Sequence, residues 1–467
     1  MPAGMVTRFL FLWLVAWLVL PIGADARAEV MNLKRCIDLA QQNSSQVGIT
    51  QDRQDWEGEK LAAARRRYFP RMEVELNEQP KVDFFGRPLE EDNVFSSEVK
   101  LTQPIYQPLL SYNRQQAEQG IVRARVERNK AAQEAALEVA PVYYKALAAQ
   151  EVWEVQRGLE AKAKQLAALA KKGVELGQQT KGDQLAAEAR VFQVAFDLAK
   201  SRSEADTALL RLKELIGLSP EQALKVMSEE PVYEPPEQSE GLLERAMDKN
   251  PILSFAQADE KYHQLGMEAA ASQQGSRLNL VGRFGLEGDY FPGEEKFYGV
   301  MMVWEMSLGD NSLRAFYDYE HQFENPTAFY YEERNLRRKG VKLSFLDGSS
   351  VAPAVAEARL KRRQAHLNLL DNRKELKTRL LSLLQEHKKE KALSLLAEKE
   401  KALQMERLST ARTRLLAGSV TPAEVLETEL DLAEAQVKLV QSRWEDARIR
   451  ALLCLLSGMD LKCKEVK

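Results

Sequence analysis

Residues 418–454 read GSVTPAEVLETELDLAEAQVKLVQSRWEDARIRALLC. Taken from Leu426 in alternating steps of four and three, the positions are Leu426, Leu430, Ala433, Val437, Val440, Trp444, Ala447, Ala451 and Cys454. Every one is apolar and most residues between them are polar or charged, so the segment is a coiled-coil helix with a narrow seam. Thr421 is placed to cap the helix and Pro422 to open it. Glu424 stands three residues after Thr421, as in a capping box. Gly418 sits where a preceding helix would stop. The stretch is therefore the tip of a helical hairpin, with one arm ending near Ala417 and the other starting at Thr421.

The same tip occurs earlier in the chain. Gly177, Thr180, Asp183, Leu185 and Glu188 match Gly418, Thr421, Glu424, Leu426 and Glu429 at an offset of 241 residues (418 minus 177). The offset also carries Leu212, Leu215 and Gly217 onto Leu453, Leu456 and Gly458. A tip, a helix and a closing LxxLxG in one register make an internal repeat.

Working outward, residues 1–28 read as a secretory signal: Arg8, then the apolar run FLFLWLVAWLVL, then Ala24-Asp25-Ala26 or Ala26-Arg27-Ala28 at the cut. The run falls short of the ~20 residues of a spanning helix. No later segment is apolar enough to span as one. The first repeat, 29–217, opens with a helix from about Leu33 to Arg67, interrupted near Asn43-Ser44-Ser45 and stopped before Pro70. The period then changes to two. Met72, Val74 and Leu76 alternate with Glu73, Glu75 and Asn77, and Phe95, Ser97, Val99 and Leu101 alternate with Ser96, Glu98 and Lys100, so two strands are expected. Helix resumes after Pro108 and runs to about Leu176. That is on the order of 100 Å, with a kink expected at Pro141.

Residues 218–240 read as an irregular linker and 241–458 as the second repeat, followed by a tail at 459–467. Around 288–339 the second repeat carries an insertion of some 34 residues, rich in aromatics. Both long helices of a repeat lie on one side of the sheet, so each repeat needs an even number of strands. The insert is then either a loop or a complete hairpin using Leu313–His321. The expectation is a loop, giving four strands per chain.

Composition narrows the function. The chain has 467 residues, 29% of them charged, and a net charge of −3, which supplies no basic field for nucleic acid. Cys36, Cys454 and Cys463 form no CxxC pair, and His263, His321, His366 and His387 are scattered. The sequence shows no phosphate loop, HExxH or paired Cys ligands. No enzymatic activity, cofactor or metal is expected. Four amphipathic strands of about ten residues suit an outer membrane, but a single-chain barrel needs about eight. Open edges in lipid are excluded, so strands would be pooled between chains.

Signal peptide, helix, strand pair, hairpin with a G-x-x-T-x-x-[DE] tip and closing LxxLxG, all twice over, resemble the TolC-type outer-membrane efflux proteins. The resemblance covers essentially the whole mature chain. It implies a mainly α fold with a small membrane β-barrel: a homotrimer in which long hairpins form a twelve-helix tunnel through the periplasm and four strands per chain close a twelve-stranded barrel in outer-membrane lipid. It further implies an exit duct for efflux or type I secretion, docked onto a periplasmic adaptor and, through it, an inner-membrane pump. The adaptor contacts would be Gly177, Gln178, Thr180, Lys181, Gly418, Ser419, Val420 and Thr421. Glu424 and Glu427, with Asp183 at the equivalent tip, fall where family members ring the periplasmic gate with acids. The same acids also suit the positive end of a helix dipole, and that reading stands beside the gate. Val420 and Leu415 replace the polar latch residues frequent in the family. Any lock would use other groups such as Arg412 or Arg414, both read as solvated. The rival readings are a periplasmic coiled-coil adaptor and a structural envelope coiled coil. The first should carry a lipoyl-like β domain around a single hairpin, and the second leaves the amphipathic strands unexplained.

Overall fold

The computed structural model describes residues 29–82, 88–177, 179–236, 240–288, 291, 293, 295–309, 311–323, 333–346, 351–459 and 461–465. The expected signal, residues 1–28, and Gln178 lie outside the described residues.

After a short strand β1 (Glu29–Met31), the first helical segment divides into α1 (Leu33–Asn43) and α2 (Ser45–Arg66) at an extended Ser44. Two strands follow, β2 (Arg71–Val82) and β3 (Pro88–Tyr106), then the hairpin of α3 (Pro108–Glu175) and α4 (Lys181–Ile216). α3 runs through Pro141 without a break. The second repeat has α5 (Glu240–Lys249) and α6 (Pro251–Ser272), then four strands: β6 (Arg277–Gly288), β7 (Glu295–Leu308), β8 (Asn311–Phe323) and β9 (Glu333–Ser344). Its hairpin is α7 (Val351–Leu416) with α8 (Pro422–Leu456).

Both repeats close on the same device. The Asn43 side-chain amide donates to the Ile216 carbonyl at the end of α4 at 2.7 Å, and Asn250 donates to the Leu456 carbonyl at the end of α8 at 2.8 Å. Each caps an orphan C-terminal carbonyl. The closing glycines, Gly217 and Gly458, have φ of 73° and 70°. A Cβ at Gly217 would come within 2.7–2.9 Å of the Asn43 side chain, and one at Gly458 within 2.8 Å of the Lys249 carbonyl. Left-handed backbone and close approach together require glycine in the LxxLxG motif.

α3 packs against α2 and α6 on its flanks, and against α4 and α8 in the coiled coil. The largest core lies at mid-height, where Tyr143, Tyr144, Leu147, Leu212, Ile216 and Trp444 are buried. The Trp444 ring stacks on Tyr144 with centroids 6.1 Å apart, and the Tyr143 hydroxyl donates to the Met227 carbonyl at 2.6 Å. Lower in the coil, Leu426 and Ala433 pack with Leu159, Ala163 and Val194.

Two sequence expectations are corrected. The 218–240 segment carries β4 (Leu224–Val226) and β5 (Glu229–Pro231), which pair with β1 and with a tail strand β10 (Cys463–Glu465). Among the described residues the large sheet has six strands where four were expected, because the insertion is a hairpin. All six form one antiparallel sheet in the order β2-β3-β6-β7-β8-β9. Parity is kept, since two strands were added together. The added β8 reads as a loop because its alternation sets charge against aromatics. The charges are satisfied inside the sheet. Arg283 of β6 crosses over Gly299 of β7 to donate to Asp318 at 2.7 Å and Glu320 at 3.0 Å, and Arg338 of β9 donates to Asp318 at 3.2 Å. A Cβ at position 299 would lie 3.0 Å from the Tyr319 carbonyl and in van der Waals contact, at 3.6 Å, with the Arg283 guanidinium.

Candidate functional site

Two places invite a functional reading: the hairpin tips and the sheet. At the first tip, Gly177 is left-handed at φ 68° and its N–H donates to the Val174 carbonyl. Thr180 then caps α4. Its hydroxyl oxygen accepts from the Asp183 N–H at 3.2 Å, and the Asp183 carboxylate accepts from the Thr180 N–H at 2.9 Å, a complete capping box. Donation by the Thr180 backbone, then by its hydroxyl, holds the Asp183 carboxyl below its ordinary pKa. Lys181 donates to Gln184 at 2.9 Å and so lies along its own helix.

The second tip has the same backbone with weaker capping. Gly418 is left-handed at φ 70°, and the Ser419 N–H and hydroxyl both donate to the Arg414 carbonyl, at 3.0 and 3.1 Å. Thr421 accepts from the Glu424 N–H at 3.3 Å, while the Glu424 carboxylate meets the Thr421 hydroxyl at 3.4 Å. Glu427 is exposed and lies 3.9 Å from Arg190 of α4, so it carries a cation from the first hairpin beside it.

The residue missed by sequence reasoning is Glu429. Its side chain is buried, accepts from Arg412 of α7 at 2.7 Å, and lies 3.7 Å from Lys162 of α3. One carboxylate thus joins both arms of the second hairpin to the first. Arg412 is an ion-pair partner and not the purely solvated group expected. The available signal was position: Glu429 directly precedes the seam residue Leu430, where a charge flanks the interface.

The sheet has two unlike faces. One carries Met72, Val74, Leu76, Val99, Leu101, Phe284, Tyr298, Val300, Met302, Trp304, Tyr317, Val341 and Leu343, all exposed. The other carries Glu73, Glu75, Glu98, Lys100, Arg283, Asp318, Glu320 and Arg338. An exposed apolar band backed by polar residues is the pattern of a transmembrane barrel wall. None of the described helices is long and apolar enough to cross a membrane. Among the described residues, no group of three or more His, Cys, Asp or Glu could hold a metal ion.

The family model described as outer membrane efflux protein matches residues 36–218, which is the first repeat. No curated protein matches the sequence. Solved structures of outer-membrane proteins align over about nine-tenths of this chain. The outer-membrane protein VceC of Vibrio cholerae aligns with a TM-score of 0.69 at 13% identity, over 91% of this chain and 96% of that one. The CmeC outer-membrane channel of Campylobacter jejuni aligns at 0.67 and 13%, over 91% and 85%. The MtrE outer-membrane channel of Neisseria gonorrhoeae, in its open state, aligns at 0.67 and 14%, over 91% and 89%. The first repeat thus matches the outer membrane efflux protein family, and the chain as a whole has the fold of the TolC-type outer-membrane channels.

Proposed function

We propose that three copies of this chain form a passive exit duct: a β-barrel in the outer membrane continued by a helical tunnel in the periplasm, serving efflux or type I secretion. The observation that carries this is the sheet. It has an exposed apolar face and, among the described residues, two unpaired edges, β2 and β9. Unpaired backbone in hydrocarbon costs several kcal/mol per group, so in lipid the edges close against other copies.

The helices support the same assembly. Leu185, Phe192 and Phe196 of α4 are the repeat equivalents of Leu426, Ala433 and Val437 of α8. In α8, Leu426 and Ala433 are buried against α3. In α4, Leu185, Phe192 and Phe196 are 56–75% exposed. The repeat offset assigns their cover to the α7 of a neighbouring copy, whose exposed Leu393, Leu396 and Leu403 await a partner. A ring of such contacts buries the seam of every long helix.

In this assembly the tips face the periplasm. Gly177, Thr180, Lys181, Gly418, Ser419, Val420 and Thr421 meet the adaptor, which links to an inner-membrane pump. Glu424, Glu427 and Asp183 line the closed end, where a ring of carboxylates favours cations. Energy for transport comes from the partners. The test is fractionation of membranes, followed by gel analysis and planar-bilayer recording. A detergent-extracted trimer that conducts ions is expected, with conductance altered by Glu424→Ala plus Glu427→Ala. A detergent-free monomer with intact helices overturns the duct, and unchanged conductance and selectivity overturn the gate assignment.

A further inference from the structure

The two open edges of the sheet carry opposite charge. β9 presents Arg337, Arg338, Lys339 and Lys342, all exposed, and β2 presents Glu73, Glu75 and Glu78, also exposed. The six strands alternate in direction, so β2 and β9 run oppositely and can pair antiparallel between copies. Their faces also agree. The row of facing residues from Arg71 passes through Thr102, Val281, Met301 and Asp318 to Arg338. Arg338 and Lys342 therefore share the polar face with Arg71, Glu73 and Glu75. Lys339, Val341 and Leu343 share the apolar face with Met72, Val74, Leu76 and Glu78.

We propose that the β9 edge of each copy pairs with the β2 edge of the next, with Lys342 opposite Glu75 of the partner subunit, closing an eighteen-stranded barrel from three copies. This rests on the exit-duct reading. It adds to that reading the seam, its register and the strand number.

The register follows from barrel geometry. Only shifts of two residues keep both faces matched. Placing Lys342 opposite Arg71, Glu73, Glu75 or Asn77 of the partner subunit advances the row by 4, 6, 8 or 10 residues per copy. With a rise of ~3.3 Å over six strand spacings of ~4.8 Å, the tilts are about 25°, 35°, 43° and 49°. Membrane barrels tilt by about 35–45°, which leaves Glu73 and Glu75. Pairing with Glu73 sets Lys339 against Leu76 of the partner subunit inside the apolar band. Pairing with Glu75 sets Lys339 against Glu78 of the partner subunit, and leaves Val341 and Leu343 against Leu76 and Val74 of the partner subunit. Only the second separates apolar rows from charged ones. Barrel width grows roughly linearly with strand number, so the membrane pore would be about half again as wide as a twelve-stranded one and as open as porins of similar strand count.

Disulfide trapping tests this in the full-length protein purified in detergent, with each single cysteine variant controlling for the native thiols. Lys342→Cys combined with Glu75→Cys should give covalent dimers and trimers on a non-reducing denaturing gel, and Lys342→Cys with Glu73→Cys should give none. Efficient trapping of the second pair instead overturns the register. No trapping of either pair, in a protein whose native mass is three copies, overturns the seam. Absence of a trimer in the unsubstituted protein overturns the duct reading itself. Independently, Lys342→Glu should weaken the heat-resistant trimer and Glu75→Lys should restore it. Failure of that rescue, with the trapped pairs also negative, leaves the proposal refuted on both counts.

Discussion

The Arg412 guanidinium donates to the Glu429 carboxylate across 2.7 Å, tying α7 to α8 shortly above the second tip. Lys162, 3.7 Å from the other oxygen, extends the tie to the first hairpin. The carboxylate is buried and the guanidinium half exposed, so the pair is only partly screened by solvent. Replacing Arg412 by Ala leaves a buried carboxylate with a single distant cation. The expected loss is about 1–2 kcal/mol in denaturant unfolding, together with a leakier periplasmic end in bilayer recordings. Wild-type unfolding and leak in Arg412→Ala would show that the tie holds nothing.

The two caps differ, and the difference is measurable. Thr180→Ala removes a reciprocal box and Thr421→Ala a one-sided cap, so the first should cost about 1 kcal/mol and the second less. Hydrogen exchange at the N–H groups of Asp183 and Glu424 reads each directly. A larger effect at Thr421 would contradict the geometry.

Asp183 gives the first tip a pH dependence of known sign. Its carboxyl is held low in the folded state by Thr180, so as pH falls the unfolded chain takes up the proton first. Its contribution is complete above the ordinary carboxyl pKa and is lost as pH drops through the lowered folded value. Asp183→Asn should flatten exchange protection at this tip below about pH 4. A pH dependence unchanged by that substitution would remove the assignment.

His263 on α6 also loses stability as pH falls, but because burial disfavours its charged form. Burial is the largest influence and lowers its pKa. Asp259 raises it, and Arg123 and Lys361 add to the lowering. Folding favours the neutral ring, so stability is full above the ordinary histidine pKa of about 6.5 and declines as pH falls toward the lowered value. His263→Gln should reduce the slope of midpoint against pH in that window. A steeper slope in the variant would reverse the sign and refute the account.

Trp444 is buried against Tyr144 in the largest core, with Arg443 over its ring at 4.9 Å. Trp444→Ala should cost about 3–5 kcal/mol, and Trp444→Phe less. Phe192 and Phe196 are exposed in the single chain, so Phe192→Asp with Phe196→Asp should leave helix content intact and prevent trimers in native mass measurements. Normal trimers from that variant would place the interface elsewhere.

Much of this was readable in residue order. The 241-residue offset, the seam from Leu426 to Cys454 and the caps at Thr180 and Thr421 are local patterns, and helix periodicity and capping chemistry depend on near neighbours. The hairpins, the break at Ser44 and the alternating β2 and β3 therefore appear as expected. β8 does not, because the charges that make it look like a loop are satisfied by Arg283 and Arg338 on other strands. Glu429 escaped for the same reason: its partners lie 17 residues away on α7 and on a different hairpin altogether.

The sequence by itself determined the duplication, the long coiled-coil hairpins and the apolar alternation of the strands, since each is written in spacings of two to seven residues. Only the tertiary structure decided that the sheet has six strands, that Arg283 reaches Asp318 and Glu320 on β8, and which helix flanks and sheet edges remain uncovered. Those depend on which distant segments pack together, and the free energy of burying a charge or an apolar stripe is set by the partner it meets.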